Sequence, residues 1–178
     1  MIVRPAAPTD VAAITAIYGH HVLHGLGTFA EEPPSEAEMA ERMKAVLDKN
    51  LPYVVAEKDA TILGYAYAAP FRLRSAYRYA VEDSVYVAPE AIGQGVGRRL
   101  LLEVIEICEA LGLHQIAAVI GDSGNAASIG LHAALGFERT GALAGMGFKH
   151  DRWVDVIFMQ KALNGGTTAP PSGSGLRL

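Results

Sequence analysis

After an apolar run that ends at Val87, the chain reads Ile92-Gly93-Gln94-Gly95-Val96-Gly97-Arg98 and then enters a stretch with helical spacing of apolar residues. Glycines in such a loop let backbone amides approach a ligand closely. The helix start adds free N–H groups and the positive end of a dipole. Together they suit an anion such as a pyrophosphate, with Arg98 and Arg99 adding charge at the rim. Two common phosphate loops are excluded. A dinucleotide fingerprint needs a small residue where Leu100 stands, and a Walker loop needs Lys followed by Ser or Thr. Taken alone, the loop also fits an ordinary glycine-rich turn before a helix.

The elements around it follow from periodicity. Met1 to Arg4 reads as a short strand, and Thr9 as the N-cap of a helix carrying Ile14, Ile17, Tyr18 and His21. Ser35 and Glu38 form a capping-box pattern that opens a charged helix to about Lys49. Tyr53 to Glu57 and Thr61 to Ala69 read as a hairpin turning at Lys58-Asp59-Ala60, and Tyr79 to Val87 as a third long strand. The helix after the loop spans about Gly97 to Leu111, with Leu101, Val104, Ile105, Cys108 and Leu111 as its apolar stripe. A buried strand from His114 to Ile120, a helix from Asn125 to Leu135, and strands from Phe137 to Phe148 and Arg152 to Lys161 complete the order. Strands followed by β-loop-α-β-α-β-β predict an α/β (α+β) chain with a mixed sheet flanked by helices.

With 178 residues, 51% hydrophobic and 19% charged, the chain can bury a core as one domain. Residues 1–163 are expected to form it. Residues 164–178, NGGTTAPPSGSGLRL, are too rich in Gly, Pro, Ser and Thr to bury apolar surface and are expected to be a flexible tail. A formal net charge of -4 argues against a nucleic-acid partner. The stretch from Val11 to Ala30 lacks Asp, Glu, Lys and Arg, but His20, His21, His24 and its glycines unsuit it to a membrane. Arg4, Pro5, Pro8 and Asp10 interrupt any secretory signal, and the single cysteine, Cys108, suits a reducing compartment, so the cytoplasm is expected.

Val85-Tyr86-Val87, the Gly93 to Gly97 loop, the Leu-rich helix, Asn125 and Leu131-His132-Ala133-Ala134-Leu135-Gly136-Phe137 together resemble the GCN5-related N-acetyltransferase (GNAT) superfamily over residues 1 to 163. The runs from Arg78 to Val87 and from Gly147 to Trp153 resemble its phosphinothricin and methionine sulfoximine acetyltransferase branch. The resemblance implies a mostly antiparallel central sheet whose strands splay at an acetyl-CoA site. It implies that the pantetheine arm lies along Val85, Tyr86 and Val87, and that amides of Gly93, Gln94, Gly95, Val96, Gly97 and Arg98 hold the pyrophosphate. Asn125 and Ser128 would contact the same arm, though Asn125 also reads as a plain helix cap. A homodimer is implied as well.

An amine attacking a thioester must lose a proton, and the departing thiolate gains from receiving one. The resemblance makes Glu82 the general base and His132 the acid, where many members carry tyrosine. Without it, Glu82 reads as a solvated strand carboxylate and His132 as a packed helix histidine. Arg72 and Arg74 alternate, so an extended segment would put both on one side; read alone they fit a solvated basic turn, and it is the resemblance that implies they hold an anionic amino-acid analogue. Phe29, Tyr79, Glu82 and Asp83 are further acceptor candidates, and Lys149, His150 and Trp153 border the same region or staple a hairpin. His20, His21 and His24 lack a carboxylate or cysteine to complete a metal site, and no metal is expected. The acceptor alternatives are a polyamine, an aminoglycoside or a protein N-terminus. Ile92, where the family often has Gln or Arg, and His132 leave open a non-catalytic acyl-CoA sensor.

Overall fold

The computed structural model describes residues 1–178. Its strands are β1 (Ile2–Pro5), β2 (Tyr53–Lys58), β3 (Thr61–Pro70), β4 (Ala80–Val87), β5 (Gln115–Gly121), β6 (Glu138–Lys149) and β7 (Arg152–Ala162). They form one sheet in the order β1-β2-β3-β4-β5-β7-β6. Only β4 and β5 run parallel. The expected mixed, mostly antiparallel sheet is therefore present. The helices are α1 (Val11–His24), α2 (Glu36–Leu47), α3 (Val96–Ala110) and α4 (Ala126–Ala134). None is long and apolar enough to cross a membrane.

Successive side chains of a strand point to opposite faces, and β4 shows what each face meets. Tyr86 lies against Tyr18 of α1, whereas Val85 and Val87 pack beside Gly97 of α3. The amphipathic face of α3 buries Val96, Leu100, Leu101, Val104, Ile105 and Cys108. Each large aliphatic among them contributes about 1.5–3 kcal/mol on burial. Leu111, expected in this stripe, is exposed, because α3 stops at Ala110 and Leu111 is its C-cap.

Two local expectations change. Pro8 fixes its own φ and starts a 3-10 turn over Pro8–Asp10, so Asp10 and not Thr9 precedes α1. The Asp10 carboxylate accepts from the Ala7 N–H at 2.8 Å and from Arg4 at 2.7 and 2.9 Å. The Ser35–Glu38 capping box does open α2. Residues 164–178 contain no helix or strand. They nonetheless touch the domain. Asn164 donates to the Glu109 and Leu113 carbonyls, His114 meets the Gly166 carbonyl at 2.8 Å, and the Leu176 N–H donates to Arg78 at 2.7 Å.

Candidate active site

The β4–β5 ladder runs from Ala80↔Gln115 to Asp83↔Ala118 and stops. Beyond it β4 stays paired with β3 as far as Gly64↔Val87, and β5 stays paired with β7 as far as Gly121↔Val156. Each strand thus follows its outer neighbour and the two part, leaving one edge of Ser84–Val87 without a ladder partner. A cleft of about 680 Å³ opens there, walled by Val85, Tyr86 and Val87 on one side and by Val119, Asn125 and Ser128 on the other. The α1–α2 connection closes one end. A Cβ on Gly121 would lie 2.3 Å from the Leu26 carbonyl oxygen, so this close approach admits only glycine.

At the cleft's other end the glycine loop enters α3. Gly93 and Gly95 have φ of 80° and 76°, in the left-handed region where other residues are strained, and Gly95 is the residue before the helix. Gly93, Gly95, Gly97 and Arg98 all line the cleft. Backbone amides and a helix N-terminus therefore face its mouth with a guanidinium beside them, a donor set that fits a pyrophosphate. Arg99 does not join them, because its guanidinium donates to the Met1 carbonyl at 2.9 Å. Gln94 is not among the lining residues, and its side chain turns back to donate to the Glu90 carbonyl at 2.8 Å.

The cleft floor holds a buried pair. Asp83, the last ladder residue of β4, places Oδ2 3.0 Å from Nε2 of His132 on α4. The other ring nitrogen, Nδ1, lies 2.8 Å from the Ser128 carbonyl. A carbonyl only accepts, so Nδ1 carries a hydrogen, and both nitrogens face acceptors. Burial by itself would lower the His132 pKa, but the hydrogen bond and charge of Asp83, with the Ser128 carbonyl, outweigh it and raise it. Burial also raises Asp83, with His132 pulling in the opposite direction. Asn125 caps α4 by accepting from the Ser128 N–H at 3.1 Å, and its amide stays at the cleft wall. Asn125 is thus both the cap of α4 and part of the cleft wall.

Glu82 precedes Asp83 and points to the opposite face. Burial raises its pKa, Arg72 partly counteracts this, and Asp83 adds to the rise. Arg72 Nη1 stands 4.0 Å from the Glu82 carboxylate, and its guanidinium covers the Phe71 ring at 4.3 Å. Arg74 forms no such ion pair. Strand β3 ends at Pro70 and the chain bends into a 3-10 turn at Ser75–Tyr77, so the alternation expected of an extended segment does not apply. Tyr79 also lies elsewhere, its hydroxyl donating to the Gly173 carbonyl and its ring edge-on to His114. Phe29 packs where a Cβ on Gly147 would stand, fixing the α1–α2 connection against β6. Buried Lys149 ties the same segment by donating to the Thr28 carbonyl at 2.9 Å.

Sequence reasoning missed a tyrosine cluster next to Glu82. Tyr53 stacks on Tyr67 at 5.0 Å, Tyr65 stacks on Tyr86 at 5.3 Å, and Tyr18 meets Thr28 at 2.9 Å. The signal was the spacing of Tyr65 and Tyr67, which puts both on one strand face. The His20 and His24 rings lie 4.8 Å apart, tilted by 46°, while His21 Nε2 lies 2.9 Å from the Val87 carbonyl.

The model of the acetyltransferase (GNAT) family matches residues 17–137. A phosphinothricin N-acetyltransferase of Alcaligenes faecalis is 56% identical over 95% of this chain and 86% of its own length. An L-methionine sulfoximine/L-methionine sulfone acetyltransferase of Salmonella typhimurium is 38% identical over 92% of this chain and 95% of its own. The crystal structure of a GNAT-superfamily phosphinothricin acetyltransferase from Sinorhizobium meliloti in complex with acetyl-CoA superposes with a TM-score of 0.94 at 47% identity, covering 98% of this chain and 94% of that one. With its parted β4 and β5 and its glycine loop at α3, the chain belongs to the acetyltransferase (GNAT) family and uses acetyl-CoA.

Proposed function

We propose that this chain acetylates the α-amine of a small amino acid bearing a phosphinate, sulfoximine or sulfone side chain. One observation carries the reading. The gap between β4 and β5 has a pyrophosphate-fitting loop and a free strand edge on one side and the Glu82–Arg72 pair on the other. Bound acetyl-CoA supplies the activated acetyl group. The free edge of Ser84–Val87 offers backbone groups to an amide-bearing arm, and the loop amides with Arg98 hold its phosphates. Glu82 takes the ammonium proton of the acceptor, directly or through one water, so that the amine has a free electron pair. Its raised pKa makes it a stronger base than an exposed carboxylate. Arg72 sits within reach of an acceptor anion at Glu82, and the names of the relatives supply the acceptor class.

The assembly we infer is a homodimer. Leu143, Met146, Phe148 and Trp153 leave an apolar surface on the β6–β7 hairpin at the sheet edge, with Trp153 70% exposed and its ring 5.3 Å from Phe148. A second copy of this chain is the occupant we assign to it. We also infer that residues 1–163 are the catalytic unit and that the protein works in the cytoplasm.

The test is thiol release from acetyl-CoA with phosphinothricin, methionine sulfoximine, methionine sulfone, spermidine, an aminoglycoside and a peptide. The amino-acid analogues should turn over, with kcat/KM above the other acceptors by about a hundredfold or more. Preference for the polyamine or peptide would overturn the acceptor assignment, and silence with retained acetyl-CoA binding would support the sensor reading.

A further inference from the structure

The Asp83–His132 pair does something that neither Glu82 nor the glycine loop does: it bridges the gap. Asp83 belongs to β4 at the last rung before the strands part, and His132 belongs to α4, which follows β5. The same two elements wall the cleft, β4 with Val85 to Val87 and α4 with Ser128 and Leu131. The link between Asp83 and His132 thus joins the two walls directly.

The link is also closed on itself. Oδ1 of Asp83 is buried with no hydrogen-bond partner, so His132 is the one side chain that answers the carboxylate. Both nitrogens of His132 are engaged, one by Asp83 and one by Ser128, and its ring lies edge-on to Phe137 at 5.0 Å. A ring held this way has no nitrogen free for a departing thiolate. The other titratable neighbours are Cys108 of α3, whose thiol burial and then the Asp83 charge push up to about 12, and Glu82 on the far face of β4. Neither brings a positive charge.

We propose that Asp83 is a positioning residue, which through His132 clamps α4 to β4 and so sets the width of the acetyl-CoA cleft, with His132 serving as a strut and not as the acid. The proposal rests on the reading that this cleft takes acetyl-CoA. A clamp made of a carboxylate and a doubly protonated imidazole holds only while the shared proton is present, so acetyl-CoA binding should weaken as pH rises through the titration of His132.

The experiment is nitrogen NMR of the His132 ring in the full-length protein, alongside steady-state kinetics across pH for the wild type and Asp83→Asn. In the wild type both ring nitrogens should be protonated at neutral pH, and the KM for acetyl-CoA should rise as His132 deprotonates. Asp83→Asn should move that deprotonation to lower pH and raise the KM for acetyl-CoA about tenfold at neutral pH, the cost of one charge-assisted hydrogen bond, while the acceptor KM stays within about twofold. A purely structural role would lower thermal stability and leave the pH profile of KM in place, which would overturn the proposal. A fall in kcat with an unchanged acetyl-CoA KM would overturn it too, since that is the behaviour of an acid. If Asp83→Asn does not fold, the wild-type profile decides alone: a KM that is flat across the titration of His132 sinks the idea. Acetyl-CoA should also shift the amides of Val85, Val87 and Gly95. If they do not move, the cleft reading fails and the proposal falls with it; if they move and KM is flat, only the proposal fails.

Discussion

Neighbouring carboxylates on β4 meet different surroundings because alternation sends them to different faces. Glu82 sits beside Arg72 and is partly exposed, whereas Asp83 is enclosed with His132. Glu82→Gln should lower kcat by about 10²–10⁴-fold, the usual share of a general base, with the acetyl-CoA dissociation constant nearly unchanged. In the wild type, kcat/KM for the acceptor should climb with pH through a value above the ordinary carboxylate range, because burial raises Glu82. That limb should vanish in the variant, as a pH–rate comparison would show. For stability the sign runs the other way. Asp83 and His132 both have raised pKa values, so the folded chain binds their protons more tightly than the unfolded one, and their contribution falls as pH rises. For Asp83 the loss starts in the ordinary carboxylate range, and for His132 in the ordinary imidazole range. The difference in Tm between wild type and Asp83→Asn should shrink as pH rises above the ordinary imidazole range and the doubly protonated His132 ring gives up its proton. A difference that grows would mean the pair is not proton-linked.

Among the elements, the hairpin of β2 and β3 offers a check on how local chemistry meets the fold. Asp59 and Ala60 have φ of 50° and 59°, the two-residue turn that matches strand twist and prefers Asp-Gly. Alanine is strained there. Ala60→Gly should stabilise the chain by about 0.5–1 kcal/mol, a rise of about 2–3 °C in Tm by calorimetry. The turn itself was legible from Lys58-Asp59-Ala60, as was the α2 capping box from Ser35 and Glu38, because these signals are local. The 71–79 segment was not. Its alternating Arg72 and Arg74 look like a strand, and only the end of β3 at Pro70 and the 3-10 turn at Ser75–Tyr77 reveal a bend. The parting of β4 and β5 was legible only through family resemblance, since it depends on which outer strand each follows. The Asp83–His132 contact joins residues 49 apart in sequence and had no periodic signal at all.

Taken whole, the molecule presents one sheet with a gap through it and one exposed apolar hairpin at its edge. Trp153, Met146 and Phe148, at 70%, 60% and 54% exposure, are large apolar groups left in water unless a partner covers them. Sedimentation should give a dimer for the wild type and a shift toward monomer for Trp153→Lys, a charge that a dry interface would have to desolvate. A monomeric wild type would remove the assignment. We propose that the acetyl donor enters the gap from the α3–α4 side and meets the acceptor at Glu82. A crystal structure with acetyl-CoA and methionine sulfone tests this most directly. The pantetheine arm should be hydrogen-bonded along Ser84–Val87, the pyrophosphate should rest on the amides of residues 93–98, and the acceptor amine should lie within one water of the Glu82 carboxylate. An arm bound away from the β4 edge, or an amine on the far side of the sheet from Glu82, would contradict it.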